Sequence, residues 1–170
     1  NAVKNGPPVM KRISTVTGDA VKNPSNFLYS IGTSYQELID AAGGFKSQPE
    51  KIISGGPMMG FAMFGLDIPT TKTSSSILCF TKDEVTQFEP LACINCGRCV
   101  EACPEQLIPS RLAKFATNGL MSEFEKWHGL ECIECGSCTF ACPSRRQVAQ
   151  PIKTMKKLTL AEKRKQASKK

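Results

Sequence analysis

Nine of the 170 residues are cysteine, and eight of them fall between Cys93 and Cys142. They form two copies of one pattern. Cys93-Ile94-Asn95-Cys96-Gly97-Arg98-Cys99 is followed, after three residues, by Cys103-Pro104. Cys132-Ile133-Glu134-Cys135-Gly136-Ser137-Cys138 is followed, at the same distance, by Cys142-Pro143. C-x₂-C-x₂-C-x₃-C-P is the bacterial [4Fe–4S] run, in which the fourth cysteine ligates the other cluster.

The spacing has a physical reason. Three thiolates at x₂ intervals let one short loop wrap three corners of a cubane, and Gly97 and Gly136 permit the tight turn. The fourth cysteine lies too far along the outgoing chain to close the same loop easily, and the proline after it suits the first turn of a departing helix. The expected ligands are Cys93, Cys96, Cys99 and Cys142 for one cluster, and Cys132, Cys135, Cys138 and Cys103 for the other. A structural zinc site would favour two separated C-x₂₋₄-C pairs, which this pattern does not offer. Crossed ligands hold the two clusters close, and close clusters conduct electrons.

The rest of the chain adds little catalytic material. His128 is the only histidine, so triad or histidine acid–base chemistry is not expected. His128 itself reads as a structural or solvent-facing residue. Cys79, inside the apolar stretch Ile77–Phe80, reads as a small buried hydrophobe. Gly55–Gly60 matches neither G-x-x-x-x-G-K-[ST] nor G-x-G-x-x-G and reads as a turn. Arg98, Arg145 and Arg146 stand beside cluster cysteines, either as solvated arginines or as tuners of cluster charge. Met58, Met59 and Met63 are expected in the core.

Charge is uneven. The chain carries 22 Lys+Arg and 15 Asp+Glu, a net +7, and residues 151–170 hold eight of the bases and one acid. The body is therefore neutral, which excludes a broad basic nucleic-acid surface. The tail, with Pro151 at a helix start and a weak stripe of Ile152, Met155 and Leu158, is expected to be disordered over its last eight or so residues. It is read either as solvated or as touching anionic lipid or an acidic partner. No apolar run approaches the roughly 18 residues of a membrane span. Clustered cysteines without a secretory signal point to metal in a reducing compartment. A start at Asn1 suggests a trimmed piece of a longer protein.

The elements that must position the cysteines follow from pattern. Val9–Val16, Phe27–Ile31, Lys51–Ser54 and Ser75–Phe80 are strand candidates. Ser34 and Glu37 form a capping-box pair ahead of a helix that Gly43-Gly44 ends. Strands with one helix suit a β-grasp. Between the cysteine blocks the apolar spacing is helical. Ser110 is a candidate N-cap and Asn118-Gly119 a stop; Ser122 and Glu125 suggest a second capping box, closed by Gly129. A helical hairpin between the blocks favours an α-helical ferredoxin module. The fold class is α+β: a β-grasp followed by a helical two-cluster ferredoxin domain. The boundaries are 1–8 as a remnant of an upstream domain, 9–80 for the β-grasp, 85–150 for the ferredoxin domain and 151–170 for the basic tail.

Several segments resemble the RnfC family of electron-transport proteins: Thr15–Val21, Ile31-Gly32-Thr33, Glu37–Phe45, Ile53–Gly60, both cysteine blocks and Cys142-Pro143-Ser144. The resemblance covers residues 9 to about 160. It implies an SLBB-type β-grasp, a dicluster domain, and an FMN/NAD(H) domain upstream of Asn1. It further implies electron flow between ferredoxin and NAD⁺ coupled to Na⁺ or H⁺ transport in an Rnf complex, with integral membrane and ferredoxin-type subunits as partners. The implied location is peripheral, at the cytoplasmic membrane face. Two other readings stay open: a soluble flavoprotein reductase such as a cobalamin reductase, and a zinc-binding interaction module.

Overall fold

A computed structural model describes residues 2–83 and 88–168. The chain divides into two compact units, residues 1–87 and 88–170.

The first unit opens with the short helix α1 (Ala2–Asn5) and is built on one mixed sheet: β1 (Lys11–Thr17), β2 (Ser25–Ser30), β3 (Lys51–Ser54), β4 (Phe61–Met63) and β5 (Ser76–Phe80), in the order β2-β1-β5-β3-β4. β1 and β2 form an antiparallel hairpin, and β5 lies parallel to β1, from Thr15 opposite Ser76 to Thr17 opposite Leu78. The helix α2 (Tyr35–Ala41) covers the sheet. Its start is the expected box: Ser34 Oγ accepts from the Glu37 N–H at 3.1 Å, and Glu37 Oε2 accepts from the Ser34 N–H at 3.2 Å. Leu38 and Ile39 of α2 pack with Val16, Val21, Ile77 and Cys79. Cys79 is fully buried, and burial pushes its thiol pKa up to about 11. The polar centre of this unit is satisfied. The Tyr35 hydroxyl shares hydrogen bonds with Ser54 Oγ at 2.7 Å and Ser74 Oγ at 2.8 Å. Tyr29 Oη donates to the Ser74 carbonyl at 3.1 Å.

Two expectations change here. β4 is an addition: three residues behind a Gly/Pro turn carry too little alternation to register as a strand. Met58 and Met59 are exposed rather than buried, because they occupy the tip of that turn, and only Met63 reaches the core edge.

The second unit is helical: α3 (Arg98–Glu101), α4 (Pro109–Thr117), α5 (Met121–Lys126), a 3₁₀ turn (Gly129–Glu131), α6 (Ser137–Phe140) and α7 (Ala149–Ala167). Its core joins Leu112 and Ala113 of α4, Phe124 of α5 and Ile152 and Met155 of α7.

Helix starts differ from expectation. Ser110 does not cap α4; Pro109 occupies the first turn, its fixed φ setting the start, and no side chain caps it. Ser122 does not cap α5, which begins one residue earlier, at Met121, after Leu120. Gly129 does not close α5. The helix ends at Lys126, His128 turns the chain at φ +60°, and Gly129 opens the 3₁₀ turn. A Cβ at Gly129 would fall 2.4 Å from the Phe124 ring.

The tail is the largest correction. Residues up to Ala167 continue α7 instead of being disordered. Its buried stripe is Ile152, Met155 and Thr159, at helical spacing, while Leu158 points outward. Lys163 pairs with Glu125 of α5 at 2.6 Å. Packing on α4 and α5 supplies what a lysine-rich composition conceals. Pro151 is the third helical residue rather than the first, still where an N–H would have no helical partner.

Candidate metal centre

The two cysteine blocks fold into the same backbone. Asn95 (φ +55°) and Glu134 (φ +60°) occupy equivalent left-handed positions, as do Gly97 (φ +79°) and Gly136 (φ +82°). So do Gln106 (φ +52°) and Arg145 (φ +51°), each three residues past the fourth cysteine. Left-handed conformation at a non-glycine residue costs roughly 1–2 kcal/mol. Four such residues at matched places mark a loop shape that the surrounding structure enforces. The hydrogen bonds repeat too. The Gln106 N–H donates to the Cys103 carbonyl at 3.1 Å, and the Arg145 N–H to the Cys142 carbonyl at 3.0 Å.

Two cavities result. One, of about 130 Å³, is lined by Cys93, Cys96, Cys99 and Cys142. The other, narrower at about 20 Å³, is lined by Cys132, Cys135, Cys138 and Cys103. Each brings together three cysteines of one block and the last cysteine of the other. All eight are free thiols, as is Cys79, which lies in the sheet of the first unit.

The two thiol sets differ in environment. Cys93 and Cys96 are exposed, whereas Cys138 is buried. Burial pushes the Cys138 thiol up to about 11 and also raises that of Cys132. Cys135 moves the other way, because the Ser137 hydroxyl, 3.4 Å from its sulfur, favours the thiolate. The Glu134 N–H donates to Cys132 Sγ at 3.4 Å. Lys156 Nζ of α7 donates to the Cys132 carbonyl at 2.5 Å and lends its positive charge to that corner. Thiols held neutral by burial bind metal by exchanging the proton for the cation.

Among the described residues, no three His, Cys, Asp or Glu side chains are grouped to hold one metal ion. A tetrahedral zinc requires such convergence. A cubane requires a different donor set, one thiolate for each of four separate irons. Four cysteines around a common space fit that demand, and the soft all-sulfur lining fits iron–sulfur chemistry.

Of the other residues singled out from sequence, His128 is exposed and pairs with Glu131 at 2.9 Å, away from both cavities. Gly55–Gly60 forms a turn, with the Gly60 N–H donating to the Gly56 carbonyl at 2.7 Å. Arg146 lines the first cavity, and Arg145 lies over the Phe88 ring at 3.4 Å. Sequence reasoning misses Lys156. In the sequence it is one of eight bases in a stretch that reads as a tail.

Comparison with known proteins agrees with this architecture. Residues 13–62 match the SLBB domain, and residues 92–148 match the 4Fe-4S dicluster domain. The chain is 50% identical over 123 residues to the C subunit of the proton-translocating ferredoxin:NAD(+) oxidoreductase complex of Clostridium ljungdahlii, covering 72% of this chain and 27% of that protein. It is 46% identical over 160 residues to the Na(+)-translocating counterpart of Acetobacterium woodii, covering 94% of this chain and 36% of that protein. The C subunit of the ion-translocating oxidoreductase complex of Methanosarcina acetivorans is 36% identical over 127 residues, 75% of this chain and 28% of that protein. The chain thus spans about a quarter to a third of the length of these relatives. An SLBB β-grasp followed by a helical dicluster domain, at these identities, makes the chain a member of the RnfC family, corresponding to part of the longer protein.

Proposed function

We propose that residues 88–170 hold two [4Fe–4S] clusters and that the chain is an electron relay within an Rnf-type ferredoxin:NAD⁺ oxidoreductase complex. The first cluster is assigned to Cys93, Cys96, Cys99 and Cys142, the second to Cys132, Cys135, Cys138 and Cys103. The observation that carries the reading is the three-plus-one lining of each cavity.

When bound, such clusters supply one-electron transfer. The chain's own residues do the remaining work. Gly97 and Gly136 turn each loop so that its three thiols face inward. Leu107, Leu112 and Ile152 line the second cavity with hydrocarbon and exclude water from it. The Glu134 N–H offsets charge on Cys132.

The finer reading extends to the complex. FMN and NAD(H) would bind on a flavin domain outside the β-grasp (9–80) and ferredoxin (85–150) units. No active site is assigned to this chain. Coupling to Na⁺ or H⁺ transport would occur in integral membrane subunits. Among the described residues no helix is long and apolar enough to cross a membrane. Attachment to the cytoplasmic face is assigned to those partners.

Metal and sulfide analysis of anaerobically purified chain tests the core of this proposal. About eight irons and eight acid-labile sulfides per chain are expected. One or two zincs without sulfide would establish the zinc module instead. Cys142→Ala should damage the cluster of Cys93–Cys99; damage confined to the second block's cluster would refute the crossed assignment.

A further inference from the structure

The two cavities are copies of each other, so their differences can be read position by position. Three paired lining positions change charge. Asn95 of the first cavity corresponds to Glu134 of the second, each two residues past the first cysteine of its block. Ser144 corresponds to Glu105, two residues past the fourth cysteine. Arg146 corresponds to Leu107, four residues past it. The first lining therefore carries +1 (Arg146) and the second −2 (Glu105 and Glu134). The crossing concentrates this contrast, because each fourth cysteine brings its own flank to the other block's cavity. Lys156, through the Cys132 carbonyl, returns one positive charge to the second site and leaves it the more negative.

Solvent acts in the same direction. Cys93 and Cys96 of the first site are exposed, while the second site has no exposed cysteine and buries Cys138. Reduction adds negative charge to an already anionic thiolate-ligated cluster. Water and a positive lining favour that form; burial and carboxylates oppose it.

Resting on the cluster reading above, we infer that the two sites are unequal in potential, the site of Cys93, Cys96, Cys99 and Cys142 lying above that of Cys132, Cys135, Cys138 and Cys103. Arg146, Glu105 and Glu134 set the order, and Lys156 limits the gap. A single electron shared by the chain then rests at the first site: the second is oxidised by one electron as the first is reduced by one. The second site accepts only from a stronger reductant.

Potentiometric titration of the anaerobically loaded chain, with dithionite as reductant and electron paramagnetic resonance as readout, tests this. Two one-electron waves are expected. Cys142→Ala should abolish the upper one. Arg146→Gln should lower the upper wave and Glu105→Gln or Glu134→Gln raise the lower, each changing the oxidised-to-reduced ratio at fixed potential by about three- to tenfold. For one electron, tenfold is about 59 mV. Lys156→Met should lower the lower wave and widen the gap. Should Cys142→Ala fail to load, the four charge variants still decide, since they leave every thiol in place. Eight irons with coincident waves, an inverted order, or midpoints unmoved by these variants would overturn the ordering alone. An iron-poor, sulfide-free chain would overturn the cluster reading itself.

Discussion

The two units are held together by different means. The first closes a core of Val16, Val21, Ile39, Ile77 and their neighbours around one sheet, with its buried hydroxyls paired. Its one cysteine packs there as a hydrocarbon would. The second unit also has a hydrophobic core, but Cys138 is part of it, and Cys99, Cys103, Cys132 and Cys142 pack against it. Its short helices α3 and α6, of four residues each, are too short to be stable in isolation. Hydrophobic burial supports the first unit; with the proposed clusters bound, the second would add their binding to its folding free energy.

Iron removal is the sharpest way to test that contrast and carries the largest expected effect. Anaerobic chelation should strip amide-exchange protection from α3, α6 and the cysteine loops while β1–β5 keep theirs. Equal loss in both units would break the comparison. Next is Gly18→Ala in the first unit. Gly18 has φ +124°, and a Cβ there would fall 2.0 Å from the Cys79 carbonyl oxygen, backbone that cannot swing aside. The cost should be about 3 kcal/mol or more, read by denaturant melting of the sheet unit with cluster absorbance unchanged.

A pH series sharpens the comparison through Cys79. Its thiol titrates near 9.0 in an unfolded chain and about 11 when folded. The stability this group contributes is complete below pH 9 and disappears as pH climbs toward 11. Cys79→Ala should flatten that decline in chemical melts of the first unit. The smallest effect is Ser34→Ala, which removes the capping box of α2 and should cost about 1 kcal/mol, again in the first unit's melt alone.

Legibility follows the range of the interactions. β3 and the capping box of α2 can be read because four to seven adjacent residues determine them. The repeated C-x₂-C-x₂-C-x₃-C-P spacing is equally local, so the cysteines stand out as a set. β4 and α7 are hidden because each depends on partners distant in sequence. Phe61–Met63 is a strand only because Ile52, Ile53 and Ser54 of β3 lie beside it. Residues 149–167 are an ordered helix because Ile152 and Met155 reach the core shared with Leu112 and Phe124. Ser110 and Ser122 mislead because serine near a helix start is ambiguous by one or two residues, and Pro109 and Leu120 settle the boundaries instead. Lys156 cannot be found at all without knowing that α7 returns to Cys132.

The exchange of fourth cysteines has a further consequence. A peptide half as long, carrying one block, would complete neither cavity, whereas two such peptides side by side would complete both. The second unit is thus a twofold assembly written into a single strand of protein. Identical halves of a true pair must change together; halves joined in tandem are free to drift apart, one gathering acids and the other bases, without losing their common frame.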